Sequence, residues 1–253
     1  MPRALQGLQS VAVYYGRGSE QVLSSFDLVI VHPDNLRPEA VEYLRAKGTR
    51  VLAYLSALEV PRDPDRPVPA GVLRVQGTAF VQPEFGNWIL DPRSAQVKDR
   101  LYGIAEQILG LGFDGVFVDT IGDVEDRRIP ADLRNALVPA AAHLVAGLAE
   151  DVRCGVIVQN WGLFELLTLT APYLDAVCWE GFPYRLIGPL PALHPGVRRL
   201  HALQEQYRLA VIALNEGLPV GPERDIAQAA AARCDFLWYG TENYTLLPVE
   251  IGS

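Results

Sequence analysis

The sequence predicts a single (β/α)8 TIM barrel over residues 1–253, and three observations carry that prediction. Eight short apolar runs alternate with longer helix-like segments, the order expected of a parallel sheet with helical crossovers. The runs are nearly continuous in hydrophobicity, as strands buried on both faces are. Many of them stop on a polar or acidic residue at the C-terminal side, where a barrel of this kind gathers its chemistry.

The runs are VAVYY (11–15), DLVIV (27–31), RVLAYL (50–55), GVFVD (115–119), GVIVQN (155–160), AVCWE (176–180), AVIALN (210–215) and FLWYG (236–240). Between them, LRPEAVEYLRAKG (36–48) opens with Pro38 near a helix start and stops at Gly48. SAQVKDRLYGIAEQILGLG (94–112) offers Ser94 as an N-cap and apolar residues at helical spacing. ADLRNALVPAAAHLVAGLAED (131–151) is helical, with Pro139 expected to kink or divide it. A shorter helix is expected around FELLTLT (164–170), and PGVRRLHALQEQY (195–207) and PERDIAQAAAARC (222–234) both open on proline. WILD (88–91) reads as a short extended piece inside the third βα connection. The preceding residues 60–87 hold five prolines and three glycines and are too long for an ordinary loop, which predicts a lid or cleft wall.

Composition narrows the function. A formal charge of −8 argues against nucleic acid as a partner, because phosphate neutralisation needs a basic face. Cys154, Cys178 and Cys234 are few, odd in number and without CxxC spacing, so neither a disulfide framework nor zinc is expected; they read as small buried thiols. No run of about 18 apolar residues is present, so no membrane span is expected. The N-terminal MPRALQGLQSVAVYY has no continuous apolar core of signal-peptide length, which by itself points to the cytoplasm. His32, His143, His194 and His201 lack metal-ligand spacing, and the GxSxG, HExxH, Walker and GxGxxG signatures are absent, so no metal and no cofactor is expected.

The polar strand ends supply the candidate site. Asp119 closes the fourth strand and Glu180 the sixth. At about 4.8 Å per strand, their carboxylates are expected to face each other across the mouth at roughly 5–10 Å. That span covers the geometries of retaining and of inverting glycosidases, in which one carboxyl is protonated while the other is ionised. Aromatic residues at or beyond strand ends, among them Tyr14, Tyr54, Trp161 and Tyr239, offer flat rings for sugar faces, and Asn160 offers an amide for hydroxyls. Trp179 and Trp238, with apolar strand neighbours, read as packing instead. Asp123, Glu125 and Asp126 read chiefly as a solvated loop continuing into Arg127 and Arg128, with a divalent-cation site as the alternative.

WILDPRS (88–94), GFDGVFVDT (112–120), VIVQN (156–160), CWEGF (178–182) and YLSALE (54–59) together resemble the motifs of glycoside hydrolase family 114, the endo-α-1,4-polygalactosaminidase-like barrels. The resemblance covers residues 50–182; the flanking strands fit only the general barrel plan. It implies hydrolysis of an α-1,4-linked galactosamine-containing polysaccharide, with Asp119 as nucleophile and Glu180 as acid/base. It also implies that Asp91 of the WxLD motif helps to bind an amino sugar, and it suggests a secreted enzyme. Two departures stand out: Leu58 occupies the place of a glycine before the third-strand glutamate, and Asp123 follows Asp119-Thr120 later than the family's second acid does. The expected partner is a polysaccharide or oligosaccharide substrate, and the alternative to a hydrolase is a carbohydrate-binding barrel without turnover.

Overall fold

A computed structural model of the chain describes residues 5, 7–161 and 164–247. Eight parallel strands follow one another in chain order: β1 (Val11–Tyr14), β2 (Leu28–Val31), β3 (Arg50–Ser56), β4 (Gly115–Asp119), β5 (Val156–Asn160), β6 (Ala176–Glu180), β7 (Ala210–Asn215) and β8 (Leu237–Gly240). Each pairs with its sequence neighbour, so the sheet curls into a nearly closed (β/α)8 barrel. β8 lies beside β1 without strand pairing. Just above the strands, the Tyr15 N–H donates to the Tyr244 carbonyl at 2.6 Å and bridges that seam.

Among the described residues, seven α-helices pack outside the sheet: α1 (Glu20–Leu23), α2 (Pro38–Ala46), α3 (Ala95–Gly110), α4 (Ala131–Glu150), α5 (Phe164–Thr170), α6 (Pro195–Tyr207) and α7 (Pro222–Arg233). Pro38, Pro195 and Pro222 sit in the first turns, where a missing N–H costs no helical bond. α1 is a single turn with too few residues to show a period, and the sequence does not announce it. Ser94 stands at the N-cap position of α3, but its side chain makes no capping bond. Pro139 does not divide α4. It lies on the solvent face, where water can take the carbonyl that its ring leaves without a donor, while Leu137, Val138, Ala141, Leu144, Val145 and Leu148 keep the inner stripe buried.

The connection from β3 to α3 carries its own short strands. Glu59–Val60 pairs antiparallel with Trp88–Ile89, and Arg74–Val75 with Thr78–Ala79. Gln76 and Gly77, both at positive φ (51° and 82°), make the two-residue turn of the second hairpin. Arg128, from the β4–α4 loop, donates to the Val81 carbonyl at 3.2 Å and stacks over the Phe80 ring at 4.7 Å, fastening this wall to the rim.

Register decides which side chains enter the barrel. Tyr54 is level with Phe117, Phe117 with Val158, and Val158 with Ala176. Side chains level across parallel neighbours share a face, and the face repeats every second residue. Two residues further along, Asp119, Asn160 and Cys178 continue the inner face, and Glu180 follows Cys178. Three consecutive strands therefore deliver an acid, an amide and an acid to one mouth.

The start of β4 tolerates no side chain, because a Cβ on Gly115 would overlap the Val156 carbonyl. In α3, by contrast, a Cβ on Gly103 meets nothing within 4 Å. Gly115→Ala is expected to lower the unfolding free energy by about 1–3 kcal/mol. Gly103→Ala is expected to raise it by about 0.5–1 kcal/mol. Urea denaturation midpoints of the two variants check both signs.

Candidate active site

Asn160 joins the two acids. Its Nδ2 donates to Asp119 Oδ1 at 2.8 Å and to Glu180 Oε2 at 2.7 Å. Bonds of 2.8 and 2.7 Å from one nitrogen hold these two oxygens no more than 5.5 Å apart, the sum of the two lengths. Carboxyl groups about 5–5.5 Å apart belong to retaining glycosidases, whereas inversion needs about 6.5–9.5 Å to admit a water.

Phenols surround the pair. Tyr244 donates its hydroxyl to Glu180 Oε1. Burial, and then the charge of Asp119 together with a hydrogen bond to it, push the Tyr54 phenol well above its ordinary range. The Tyr15 ring lies 5.3 Å from that of Tyr54 and 5.1 Å from that of Tyr244. Burial first, then Asp119, also keep the Tyr15 phenol protonated. His32 stacks on Tyr54 at 5.9 Å with 18° between the rings, which puts it at the mouth, as its place after β2 predicts. Beneath the acids, Cys178 is a buried thiol, pushed up by burial and then by the charges of Glu180 and Asp119.

Thr120 turns the chain directly after Asp119. Its φ of 62° is a left-handed conformation that β-branched residues rarely adopt. The surroundings hold it there: Thr120 Oγ1 accepts the Leu58 and Glu59 N–H groups at 2.9 and 3.3 Å and lies 3.3 Å from Ser56 Oγ. The Asp119 carbonyl takes the Ala57 N–H at 2.9 Å. The end of β3 is thereby strapped to the end of β4, and Leu58, at the family's glycine position, packs fully buried with its N–H satisfied.

This strap brings a second acidic pair to the rim. Asn87 Nδ2 donates to Glu59 Oε2 at 2.7 Å. Burial pushes the Asp123 carboxyl well above the usual carboxylate range, and the charge of Glu59 and a hydrogen bond to it push in the same direction. Asp123 therefore holds its proton more firmly than an exposed carboxyl does, beside Asp119. The three acids expected in a solvated loop therefore separate. Asp126 pairs with Arg128 as that reading expects. Glu125 instead is buried and accepts the Leu166 N–H at the start of α5, at 3.0 Å. Among the described residues, no group of three His, Cys, Asp or Glu side chains is disposed to hold a metal ion.

Not every residue expected at the mouth arrives there. Val13 is level with Ile30 and Ile30 with Leu52, so Val13 and Tyr15 share the inner face with Tyr54, and Tyr14 takes the opposite one. The Tyr14 hydroxyl donates to the Arg17 carbonyl at 3.0 Å. Tyr239 is 3% exposed and packs edge-on against Phe26 at 6.4 Å; neither acid is among its neighbours. The Asp91 carboxylate is taken by Arg93, with Oδ1 accepting from Nε at 2.9 Å and Oδ2 from Nη2 at 2.7 Å, and it closes a turn ahead of α3. Trp161 stacks on Trp179 at 4.1 Å. Tyr15 was legible from strand parity, because it lies two residues beyond Val13. Tyr244 lies in the loop after β8, where no periodic signal marks it. A cavity of about 680 Å³ opens near the N-terminal ends of β7 and β8, and neither acid lines it.

No protein-family model matches the sequence, and no curated protein does. Solved structures do. The glycoside hydrolase domain of PelA from Pseudomonas aeruginosa superposes with a TM-score of 0.76 at 26% identity, covering 96% of this chain and 98% of that one. Ega3 from Aspergillus fumigatus, solved in complex with galactosamine, has a TM-score of 0.66 at 14% identity, covering 97% and 96%. TtGalA, an α-galactosidase from Thermus thermophilus, has a TM-score of 0.63 at 16% identity, covering 98% of this chain and 61% of that one. The chain is thus a glycoside-hydrolase-like barrel with the family 114 type of fold that its motifs resemble.

The raised Asp123 carboxyl has a signature in stability. With its folded value raised, Asp123 keeps a proton that the unfolded chain releases near pH 4. Its stabilising contribution is complete below that pH and is lost as pH rises through the raised value. Asp123→Asn has no such proton to lose. Calorimetric melting temperatures from pH 4 to 9 are expected to fall less steeply for the variant than for the parent; equal slopes refute the raised Asp123 carboxyl.

Proposed function

We propose that the protein is a glycoside hydrolase that cleaves α-1,4-linked galactosamine-containing polysaccharide with retention, with Asp119 as nucleophile and Glu180 as acid/base. The observation that carries this reading is the Asn160 bridge, which keeps two strand-end carboxylates within the spacing of a double displacement. The likeness to the PelA hydrolase domain supports the reaction class. The substrate reading draws on the motif resemblance, on the galactosamine bound by a barrel of the same fold, and on the acids gathered at the mouth. Asp119, Glu180, Glu59 and Asp123 make a rim that favours a cationic amino sugar over an acidic one.

The reaction divides between the two acids. Asp119 attacks the anomeric carbon as the bond to the glycosidic oxygen breaks, and that oxygen takes the proton of Glu180. Water then adds to the anomeric carbon of the glycosyl–Asp119 ester. Its proton passes to Glu180, and Asp119 leaves as carboxylate. Asn160 holds both acids in register through each step. Tyr54 and Tyr244, whose phenols burial and neighbouring charge keep protonated, donate to Asp119 and Glu180 respectively. With Tyr54 and Asn160, we assign Tyr15 and Tyr244 to the substrate-binding mouth in place of Tyr14 and Tyr239. Asp91 has the role of holding its own loop.

Incubation with a galactosamine oligomer is expected to yield new reducing ends, the first-formed end keeping the α configuration by NMR. Glu180→Gln is expected to lower kcat by roughly 10²–10⁴-fold. Asp119→Asn is expected to leave no measurable turnover, with both variants melting as the parent does. Calorimetric heat of oligomer binding without any new reducing ends assigns the protein instead to binding without turnover, and near-parental rates in both variants remove the pair from the chemistry.

A further inference from the structure

On the rim that carries Glu180, a cavity of about 360 Å³ opens between the loops that follow β6 and β7. This volume lies within the range of small-molecule sites, about 300–1,000 Å³. Its floor is continuous with the acid/base strand. The Phe182 N–H donates to the Leu214 carbonyl at 3.1 Å, and Asn215 Nδ2 donates to the Phe182 carbonyl at 2.9 Å. These bonds set the segment 181–182, which leaves Glu180 directly, beside Asn215 and Glu216.

The charges around this cavity do not cancel. Glu223 takes both cationic and phenolic partners of the outer wall, accepting from Tyr184 at 2.6 Å and pairing with Arg185 at 3.0 Å. The Arg185 guanidinium also lies over the Tyr184 ring, at 5.5 Å. Glu216 is exposed, and no described cation or hydrogen-bond donor meets its carboxylate. Its charge reaches Tyr244, the phenol bonded to Glu180, and helps to hold that phenol protonated. Leu186, 72% exposed, and Pro183 give the same cavity an apolar wall. An unmatched carboxylate facing an apolar shelf, one step from the acid/base, suits a ligand with a cationic edge and an apolar face.

We propose that this cavity is the leaving-group-side subsite: it receives an amino-sugar unit released by Glu180, with the ammonium on Glu216 and the apolar ring face on Leu186 and Pro183. The proposal rests on reading Asp119 and Glu180 as a glycosidase pair, because Glu180 then protonates the oxygen of the departing sugar. Asp119 lies on β4, two strands back from Glu180, and this cavity lies one strand onward, so the departing chain has an open path away from the nucleophile.

The test compares calorimetric binding of a free-amine galactosamine oligomer with that of its N-acetylated counterpart, alongside a reducing-end assay. The parent is expected to prefer the free amine by about fivefold, the upper worth of one exposed ion pair. Glu216→Gln is expected to abolish that preference and Glu216→Asp to keep most of it. Leu186→Ser is expected to weaken both oligomers alike. A preference that survives in Glu216→Gln overturns the subsite while leaving the hydrolase reading intact. A free-amine preference that Glu216→Gln abolishes, in a parent that binds without producing reducing ends, sustains the ammonium site at Glu216 and removes the hydrolase; a parent with no preference overturns the site.

Discussion

The structure depends on one amide. Without Asn160, the acids at the ends of strands β4 and β6 face each other at close range with no donor common to both. A single NH2 group resolves this, because its two hydrogens diverge and each meets one acid. A lysine in that place offers charge without fixed direction, and a serine offers only one donor. The amide therefore does two things at once: it gives the acidic pair a common donor and it limits how far apart the two bonded oxygens can lie. The surrounding phenols complete the shell as donors, so the negative charge of the mouth is matched largely by neutral groups and stays available to a cationic ligand.

Most of the barrel was legible because its strands are buried on both faces. Uninterrupted apolar runs mark such strands individually, and all eight appear where those runs lie. Asp119, Asn160 and Glu180 were legible for the same reason, since a polar residue closing an apolar run stands out. The errors fall where that contrast vanishes. At the end of β1, Tyr14 and Tyr15 are adjacent and chemically alike, and only pairing register tells inner from outer. Tyr239 lies within an apolar run that gives no inner face by itself. Asp91 belongs to a motif, but Arg93 two residues later occupies its carboxylate. The rim acids Glu59 and Asp123 lie beyond strand ends, in segments positioned by the Thr120 strap, which is a tertiary feature. Pro139 shows the converse: a strong local breaker is tolerated when its face is solvent.

The two acidic pairs are built on opposite principles. Asp119 and Glu180 both accept from one donor, the Asn160 amide. Glu59 accepts from the Asn87 amide, whereas burial, and then the charge of Glu59, push the Asp123 carboxyl upward. One rim therefore carries both pairs, and in chain order Asp119 of the first lies between Glu59 and Asp123 of the second. The β3–β4 strap, with its left-handed threonine, is the mechanical link that makes the second pair's position depend on the first.

The seam between β8 and β1 gives the barrel an unusual weak point. It has no ladder of strand bonds, and the Tyr15–Tyr244 main-chain contact spans it above the sheet. The side chains of those same two residues reach the carboxylate mouth. Any breathing motion that parts the first and last strands therefore withdraws one phenol from beside Tyr54 and another from Glu180 in the same movement. The peptide contact that spans the seam thus belongs to the same two residues that line the carboxylate mouth.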